Sequence, residues 1–279
     1  MISPKIKWNH SKDYHVIFYR ESDSLKSGER GIAVSIKQEE WQFMSGHVID
    51  GRNLYPATGY LHLVWETMAI TSNMLTCDMI MEFENCKFKR ATHIGKEIVD
   101  LTVMIQRGSG NFEVIEGGTD VVSGTIRIIN EDNLEYAELP LPAESERSDN
   151  IKLKTKDIYK ELRLRGYNYK GAFRGLQECN STASKAWIKW DGNWVAFLDT
   201  MLQVKILQLD TRLLYVPTSI RKMTINAKKH LKYVESFGDN PILPVYVYKD
   251  AGIISCGGIE IRGLMASSIP RRNSSVNLS

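Results

Sequence analysis

A polar segment near the middle of the chain is the feature that most constrains its fold. The stretch from Asn130 to Lys156 is densely charged and contains Pro140 and Pro142. Such a composition and length are abnormal for a loop inside a compact domain and typical of a linker. The 279 residues therefore divide into two pieces of similar size, each within the ordinary range of a single domain.

Each piece contains one long apolar helix. In the first piece the run ATGYLHLVWETMAITSNML follows Pro56, and proline suits the first helical position because its missing N–H group would have no partner there. The apolar side of this helix, at helical spacing, comprises Leu61, Val64, Trp65 and Met68. In the second piece a helix is predicted over Trp194–Leu207, and its apolar side comprises Trp194, Phe197, Leu198, Met201 and Leu202.

Strand-like runs surround both helices, with glycine-containing turns between them. The runs of the first piece are HVIFYR, GIAVSI, MIMEFENCKFKR, EIVDLTVMIQRG, NFEVIEG and TDVVSGTIRII. The second piece has a short helix at Asp157–Leu164 and the runs AFRGLQEC, SKAWIKW, LPVYVYK and GIISCGGIEIRGLMAS. We predict an α+β fold with subdomains at 1–135 and 156–279 and a linker over 136–155. An all-β sandwich with one stray helix is an alternative that leaves the helical spacing unexplained.

Composition excludes several classes of function. Lys and Arg total 36 against 33 Asp and Glu, a net charge of +3, and this surplus is too small to indicate nucleic-acid binding. No segment approaches the roughly 18 consecutive apolar residues of a membrane span. The four cysteines are widely spaced, without metal-ligand patterns, which is typical of reduced thiols in a cytoplasmic protein. We expect no bound metal or cofactor and no contact with nucleic acid or membrane.

His47 is the first candidate for a chemical role. The pattern His47-x3-Gly51-x4-Pro56 places an irregular loop before the first long helix, so the imidazole is expected beside unpaired N–H groups and the positive end of a helix dipole. Such a site can polarise a carbonyl oxygen while a base removes a proton from the adjacent carbon. Gly51 would permit close approach of the backbone to a ligand. A structural role is the alternative for a lone histidine.

Asp199 is the second candidate. It interrupts the apolar run WVAFLDTMLQVKIL, so its carboxyl group is expected to be largely removed from water, which favours the protonated form that a general acid needs. Gln203, four residues on and on the same helix face, can orient this group. A salt-bridged core aspartate is the alternative. Together, a base and an acid of this kind suit β-elimination of water from a 3-hydroxyacyl thioester.

These motifs resemble the signature pair of dehydratase domains in animal fatty acid synthases and type I polyketide synthases. The segment HVIDGRNLYPATGYLHLVWETMA is closely similar to the animal fatty acid synthase version, and insect-type synthases are the first expectation within that group. The resemblance extends over nearly the whole chain through the segments NFEVIEGGTDVVSG, GNWVAFLDTMLQ, LRGYNY, VPTSI and IRGLMASSIPRR.

The resemblance implies a double hot-dog fold, in which two antiparallel sheets each wrap around a central helix. It implies His47 as the base, Asp199 as the acid and Gln203 as the support for Asp199. The substrate would be a (3R)-3-hydroxyacyl thioester on the phosphopantetheine arm of an acyl carrier protein domain, and the product a trans-2-enoyl thioester. We place the thioester oxygen near the N–H groups just after Pro56, around Ala57. The expected partners are the carrier domain, the other domains of the parent synthase and a second copy in a homodimer.

One segment departs from the family pattern. After a Gly-Tyr-x-Tyr motif that ends at Tyr169, the family often continues Gly-Pro-x-Phe, whereas this chain has KGAF over 170–173. In relatives this segment borders the substrate tunnel, so Tyr169 is a candidate substrate-binding residue and the chain-length preference stays open. His62, on the helix that follows His47, is expected to be structural.

The segment RKMTINAKKHLK holds a basic cluster of Arg221, Lys222, Lys228, Lys229 and Lys232. A solvated face is the ordinary interpretation, and a docking patch for an acidic carrier domain is the alternative, because such patches steer encounter. If the cluster is a docking patch, replacing Lys228 and Lys229 by Glu slows turnover of a carrier-borne substrate. Unchanged turnover would contradict the docking hypothesis.

Three further functions stay open. A polyketide synthase dehydratase would act on branched or functionalised chains by the same chemistry. A catalytically silent scaffold of a synthase would not turn over substrate, and a hot-dog thioesterase would release a free acid.

Overall fold

The computed structural model of the chain describes residues 28–95, 97–134, 136, 152–209 and 211–271. Its helices are α1 (Ala57–Thr71), α2 (Thr155–Leu164), α3 (Trp194–Leu207) and α4 (Ala227–Glu235). Its strands are β1 (Glu29–Val34), β2 (Val48–Ile49), β3 (Arg52–Asn53), β4 (Ile80–Phe88), β5 (Val99–Ile105), β6 (Asn111–Glu116), β7 (Thr119–Ile128), β8 (Lys152–Lys154), β9 (Leu176–Asn180), β10 (Lys185–Lys189), β11 (Leu214–Asn226), β12 (Ile242–Tyr248), β13 (Ile253–Cys256) and β14 (Ile259–Ile269).

The N-terminal half packs an antiparallel sheet against α1. Its strands follow the order β1-β5-β6-β7-β4, and β5, β6 and β7 contact the helix. Because successive side chains of a strand point to opposite faces, β5 buries Leu101, Val103 and Ile105. Most of the α1 surface is buried in turn, so this helix is the centre of the N-terminal half.

The C-terminal half repeats this plan around α3. Its strands follow the order β11-β14-β13-β12-β10-β9-β8, and β10 and β12 contact the helix. α3 begins after Asn193, whose side chain accepts a hydrogen bond from the N–H group of Ala196 at 2.9 Å, and an N-cap of this kind stabilises the first turn. The helix is buried almost all round, so its one acidic residue, Asp199, lies in the interior.

The two halves meet along one seam and between the two central helices. β4 pairs antiparallel with β11, with Phe83 opposite Met223, and this pair joins both sheets into one of twelve strands. On the helix side, the hydroxyl group of Thr58 donates to the carbonyl oxygen of Val195 at 2.9 Å. α1 and α3 therefore touch near their N-terminal ends, where the candidate residues lie.

The structure confirms the predicted α+β fold with two helix-centred halves, and the helix over Trp194–Leu207 lies where it is predicted. The first long helix is shorter than predicted, because it ends at Thr71 and Asn73 then adopts a left-handed conformation with φ 53°, which terminates helices. Pro56 is the N-cap of this helix rather than its first residue.

Several smaller elements differ from the sequence-based expectations. β11 and α4 are not predicted, and β8 lies inside the stretch assigned to the linker, where it pairs with β9. The run HVIFYR lies outside the described residues. No helix within the described ranges is long and apolar enough to cross a membrane.

His230 on α4 makes the stability of the fold sensitive to acid. Its side chain is fully buried, and its ring lies 4.9, 5.1 and 5.2 Å from those of Trp190, Trp194 and Phe197. Removal from water lowers the pKa of His230 from 6.5 to about 4, because burial disfavours the charged form. Between pH 6.5 and 4, His230 of the unfolded chain therefore binds a proton that His230 of the folded chain does not bind. His230 does not reduce the free energy of unfolding above pH 6.5. As the pH falls below that value, the contribution of this residue lowers the free energy of unfolding by about 3 kcal/mol.

Urea unfolding at a series of pH values measures this loss. We expect the free energy of unfolding of the native chain to fall between pH 6.5 and 4, and His230→Leu to flatten that part of the curve. His93→Leu, at an exposed position, is the matched control and keeps the acid dependence. An undiminished slope in His230→Leu would contradict the assignment.

Candidate functional site

A tight hairpin holds His47 in place. The turn between β2 and β3 consists of Asp50 and Gly51, both with positive φ (51° and 73°), as two-residue hairpin turns require. It returns the chain so that Leu54 lies beside His47. The N–H group of Leu54 donates to the backbone oxygen of His47 at 3.1 Å, and His47 Nδ1 lies 2.7 Å from the backbone oxygen of Leu54.

This contact fixes the tautomer of the histidine. A carbonyl oxygen can only accept a hydrogen bond, so Nδ1 of His47 carries the proton. The neutral ring therefore has its free electron pair on Nε2. The Nε2 atom lies 3.5 Å from Asp199 Oδ1, and both residues are 5% exposed. The base and the acid named from the sequence thus lie together in the interior.

Gln203 supports Asp199 as its position on α3 predicts. One N–H bond of its side-chain amide donates to Asp199 Oδ2 at 3.0 Å, and the other donates to the backbone oxygen of Phe173 at 3.0 Å. Gln203 is 1% exposed, so water does not compete for these contacts. The carboxyl group is consequently held in one orientation by a residue of its own helix.

Backbone hydrogen bonds join the His47 loop to the segment that contains the Gly-Tyr-x-Tyr motif. Lys170 N–H donates to the oxygen of Gly46 at 2.9 Å, Asn168 N–H to that of Val48 at 2.7 Å, and Asp50 N–H to that of Gly166 at 2.8 Å. The first segment belongs to the N-terminal half and the second to the C-terminal half. Their pairing sets the position of the histidine relative to α3.

Aromatic side chains form the walls around the pair. The ring of His47 lies 5.0 Å from that of Phe173 and 5.5 Å from that of Tyr169. Burial raises the pKa of Tyr169 well above 10 and that of Tyr167 to about 12, so both phenols keep their protons at neutral pH. The pocket has a volume of about 30 Å³ and is lined by His47, Ile49, Ala57, Tyr167, Tyr169, Asp199, Leu202, Gln203, Ile206, Tyr215 and Pro217.

The other candidate residues from the sequence take different places. Ala57 and Tyr169 line the pocket, whereas Pro56 is the N-cap of α1 and is not among the lining residues. Gly51 lies in the hairpin turn, exposed and outside the pocket lining, and a Cβ atom there would meet nothing within 4 Å. The positive φ of the turn accounts for the glycine, and its role in ligand approach stays a prediction.

The lesser sequence signals lie outside the pocket. His62 Nδ1 is 3.6 Å from Glu66 Oε1 on the same helix. In the basic cluster, Lys222 forms an ion pair with the buried Glu82 at the β4–β11 seam, at 2.7 Å. Lys228 and Lys229 are exposed on α4, so the docking hypothesis for them stays a prediction.

Sequence reasoning missed several residues of the site, and three of them have specific contacts or positions. Phe173 packs on the histidine ring and accepts from Gln203, Tyr215 lines the pocket, and Tyr159 donates to the Gln203 network. The segment that contains Phe173 was noted only because its sequence KGAF differs from the family pattern. No sequence signal marks Tyr159 or Tyr215. No cluster of three metal-binding side chains occurs in the part of the chain that the structure describes.

The arrangement suits removal of a proton and donation of another on one small substrate. Nε2 of His47 is the ring nitrogen left free by the contact of Nδ1 with Leu54, and the Asp199 carboxyl group lies beside it. Both reach the same enclosed space, where low exposure strengthens electrostatic interactions. The two groups lie close enough to act on neighbouring atoms of one substrate, a hydroxyl group and an acidic C–H bond on adjacent carbons.

Comparison with known proteins agrees with this architecture. No protein-family profile matches the chain. A curated relative is the highly reducing polyketide synthase verA of Penicillium polonicum, which is 25% identical over 284 residues covering 82% of this chain. The chain spans only 11% of the length of that relative.

Solved structures show the fold. The dehydratase domain from the CurF module of curacin polyketide synthase superposes with a TM-score of 0.64 at 15% identity, over 87% of this chain and 93% of that one. An inactive CurK dehydratase with an Asp-to-Asn change superposes with a TM-score of 0.63 at 18% identity, over 87% of this chain and 93% of that one. An inactive CurK dehydratase with a His-to-Phe change superposes with a TM-score of 0.61 at 17% identity, over 87% of this chain and 92% of that one. The chain therefore has the double hot-dog fold that its motifs imply.

Proposed function

We propose that this chain is a dehydratase module that removes water from 3-hydroxyacyl thioesters. The observation that carries the proposal is the contact of His47 Nε2 with Asp199 Oδ1 at 3.5 Å, in a pocket that both halves build. The solved structures that share its fold are dehydratase domains, and they include inactive mutants changed at a His or at an Asp. These residue types are the ones that the pocket brings together here.

The elimination breaks one C–H bond and one C–O bond. His47 Nε2 takes the proton from the carbon next to the thioester carbonyl, and the electron pair of that bond forms the new double bond. Asp199 gives its proton to the β-hydroxyl group, which leaves as water. The histidine is then protonated and the aspartate ionised. Their separation of 3.5 Å lets the proton return, directly or through one water molecule, for the next turnover.

The first turn of α1 is proposed to hold the thioester oxygen. Ala57 lines the pocket beside the catalytic pair, and the N–H groups of a first helical turn have no acceptor within the helix. The positive end of the helix dipole stabilises negative charge there. Charge that develops on the oxygen as the α-proton leaves would be stabilised by these groups.

The substrate is proposed to arrive on the phosphopantetheine arm of an acyl carrier protein domain, and the other domains of a parent synthase would flank this one. The curated relative is a multidomain synthase of which the chain spans a small part, which supports a module of a larger protein. The name of the curated relative and the names of the solved structures favour a polyketide synthase parent. A fatty acid synthase parent, expected from the resemblance of the His47 segment, stays a prediction.

Mass spectrometry of carrier-bound 3-hydroxyacyl substrates tests the proposal. We expect the native chain to convert straight-chain and branched substrates to enoyl products with the loss of one water molecule. The relative turnover of the two substrate sets distinguishes fatty acid from polyketide preference. Release of a free acid would indicate a thioesterase, and no conversion of any substrate would indicate a scaffold; either result would contradict the proposal.

A further inference from the structure

We propose that Tyr159 is a positioning residue for this reaction. Through the Gln203 amide, its hydroxyl group determines which oxygen of Asp199 carries the proton that is transferred. The inference rests on the proposed dehydration and deepens it. Tyr159 lies on α2 and does not line the pocket, so it would act without touching the substrate.

The hydrogen bonds around the Tyr159 hydroxyl group have one consistent assignment. The N–H group of Leu176 donates to this oxygen at 3.1 Å. Two acceptors lie within reach, the backbone oxygen of Phe173 at 3.2 Å and Gln203 Oε1 at 3.1 Å, but a hydroxyl group has a single proton. Phe173 already accepts from Gln203, whereas Tyr159 is the donor found for Oε1 among the described residues. The proton therefore goes to Oε1.

This assignment fixes the Gln203 amide. With Oε1 turned to Tyr159, both N–H bonds point the other way, to the Phe173 oxygen and to Asp199 Oδ2. The reversed amide would set Oε1 against the Phe173 oxygen, and neither of these atoms can donate. The Tyr159 hydroxyl group satisfies the one remaining atom of the amide, which would otherwise be buried without a partner.

The fixed amide in turn distinguishes the two oxygens of Asp199. Oδ2 accepts an N–H bond at 3.0 Å, and a carboxyl group presents its unprotonated oxygen to a donor because that oxygen is the stronger acceptor. In the protonated form that the proposed reaction requires, the proton therefore lies on Oδ1, the oxygen that is 3.5 Å from His47 Nε2. The acidic proton thus lies on the side where the substrate would bind.

The surroundings keep Tyr159 in this state. It is 6% exposed, and the Arg174 guanidinium group lies over its ring, 4.8 Å from the centroid. Burial raises the pKa of Tyr159 well above its usual value of 10, so the hydroxyl group keeps the proton that it donates to Gln203. Both its position and its protonation are therefore constant over the working pH range.

Single and double variants test the inference with steady-state kinetics on a carrier-bound 3-hydroxyacyl substrate. We expect Tyr159→Phe to lower kcat about tenfold and to leave KM within about twofold, because an acid that is poorly oriented loses transition-state stabilisation and not binding. Gln203→Leu lowers kcat by itself. Because Tyr159 acts through Gln203, adding Tyr159→Phe to Gln203→Leu is expected to lower kcat by less than about twofold more.

Tyr60→Phe is the matched control. The Tyr60 hydroxyl group is buried and accepts the N–H group of Thr92 at 3.0 Å, as Tyr159 accepts that of Leu176, but it has no contact with Gln203. Thermal unfolding of both variants measures the shared cost of a lost buried hydrogen bond, and Tyr60→Phe keeps the native kcat.

Three outcomes would overturn the inference. A kcat for Tyr159→Phe that equals that of Tyr60→Phe, or effects of Tyr159→Phe and Gln203→Leu that multiply in the double variant, would refute the role of Tyr159 while the dehydratase assignment stands. A native chain that does not dehydrate the substrate refutes the proposed function, and the inference fails with it.

Discussion

Asp199→Asn is expected to lower the rate of dehydration at least about a thousandfold while leaving thermal unfolding nearly unchanged. Asparagine has the shape of aspartate, and its side-chain oxygen can still accept the N–H bond of Gln203 that Oδ2 accepts now. It has no acidic proton to give to the leaving hydroxyl group. Activity therefore falls through the chemistry and not through the fold.

His47→Ala is expected to have an effect of similar size for the complementary reason. It removes the Nε2 atom that faces Asp199, which is the proposed base, and it also leaves the backbone oxygen of Leu54 without its imidazole donor. A drop in thermal stability therefore accompanies the loss of turnover, and circular dichroism shows whether the variant stays folded.

His62→Ala is the matched control for both variants. This histidine lies on α1 beside Glu66, outside the pocket lining, so full turnover is expected. Enoyl formation, followed by its absorbance, compares the three proteins. If Asp199→Asn or His47→Ala keeps more than about a tenth of native turnover, the assignment of acid and base is contradicted.

Gly46→Ala is expected to have a large effect of a different kind, on the packing that positions the site. A Cβ atom at Gly46 would lie 2.2 Å from the backbone oxygen of Lys170 and 2.9 Å from its carbonyl carbon, and backbone atoms cannot rotate away as a side chain can. The same two residues are joined by a hydrogen bond of 2.9 Å. Relief of the clash separates the His47 loop from the segment that carries Tyr169. We expect a loss of roughly 2–4 kcal/mol in the free energy of unfolding and a clear fall in turnover.

Gly31→Ala is the control for this prediction. Gly31 lies exposed in β1, where a Cβ atom would meet no atom within 4 Å, so stability is expected to change by less than about 0.5 kcal/mol. Urea unfolding measures both variants. Equal stability of Gly46→Ala and Gly31→Ala would show that the contact between the two loops is not tight.

The sequence predicted the halves of the fold because each half has one long, predominantly apolar helix with strand-like runs around it. β11 escaped prediction although it joins the two halves, because Pro217 and the charged pair Arg221 and Lys222 interrupt its strand pattern. The proline is tolerated because the register with β14 shifts between Pro217 and Ser219, and bulges accept proline in strands. α4 escaped for a related reason, since its lysines lie on the solvent side of a helix that buries Ala227 and His230.

The candidate site was predictable only where one residue type suggests one chemistry. His47, Asp199 and Gln203 were found because a histidine before a helix and a carboxyl group in an apolar helix are each unusual. Tyr159 was not, because its partners Leu176 and Gln203 meet it only when α2 packs beside α3. The ligand-approach role of Gly51 stays a prediction, while its place in the hairpin turn, with positive φ, was not foreseen. Periodicity locates elements but does not specify which polar atoms meet between them.

Turnover of one carrier-bound 3-hydroxyacyl thioester by four proteins tests the central claim that the two halves build a single acid–base site. The proteins are the native chain, His47→Ala, Asp199→Asn and the double variant, and mass spectrometry records the loss of water. We predict conversion by the native chain, a similar large loss in each single variant, and little further loss in the double variant, because base and acid act in one step. Activity retained in either single variant, or losses that multiply in the double variant, would contradict the claim.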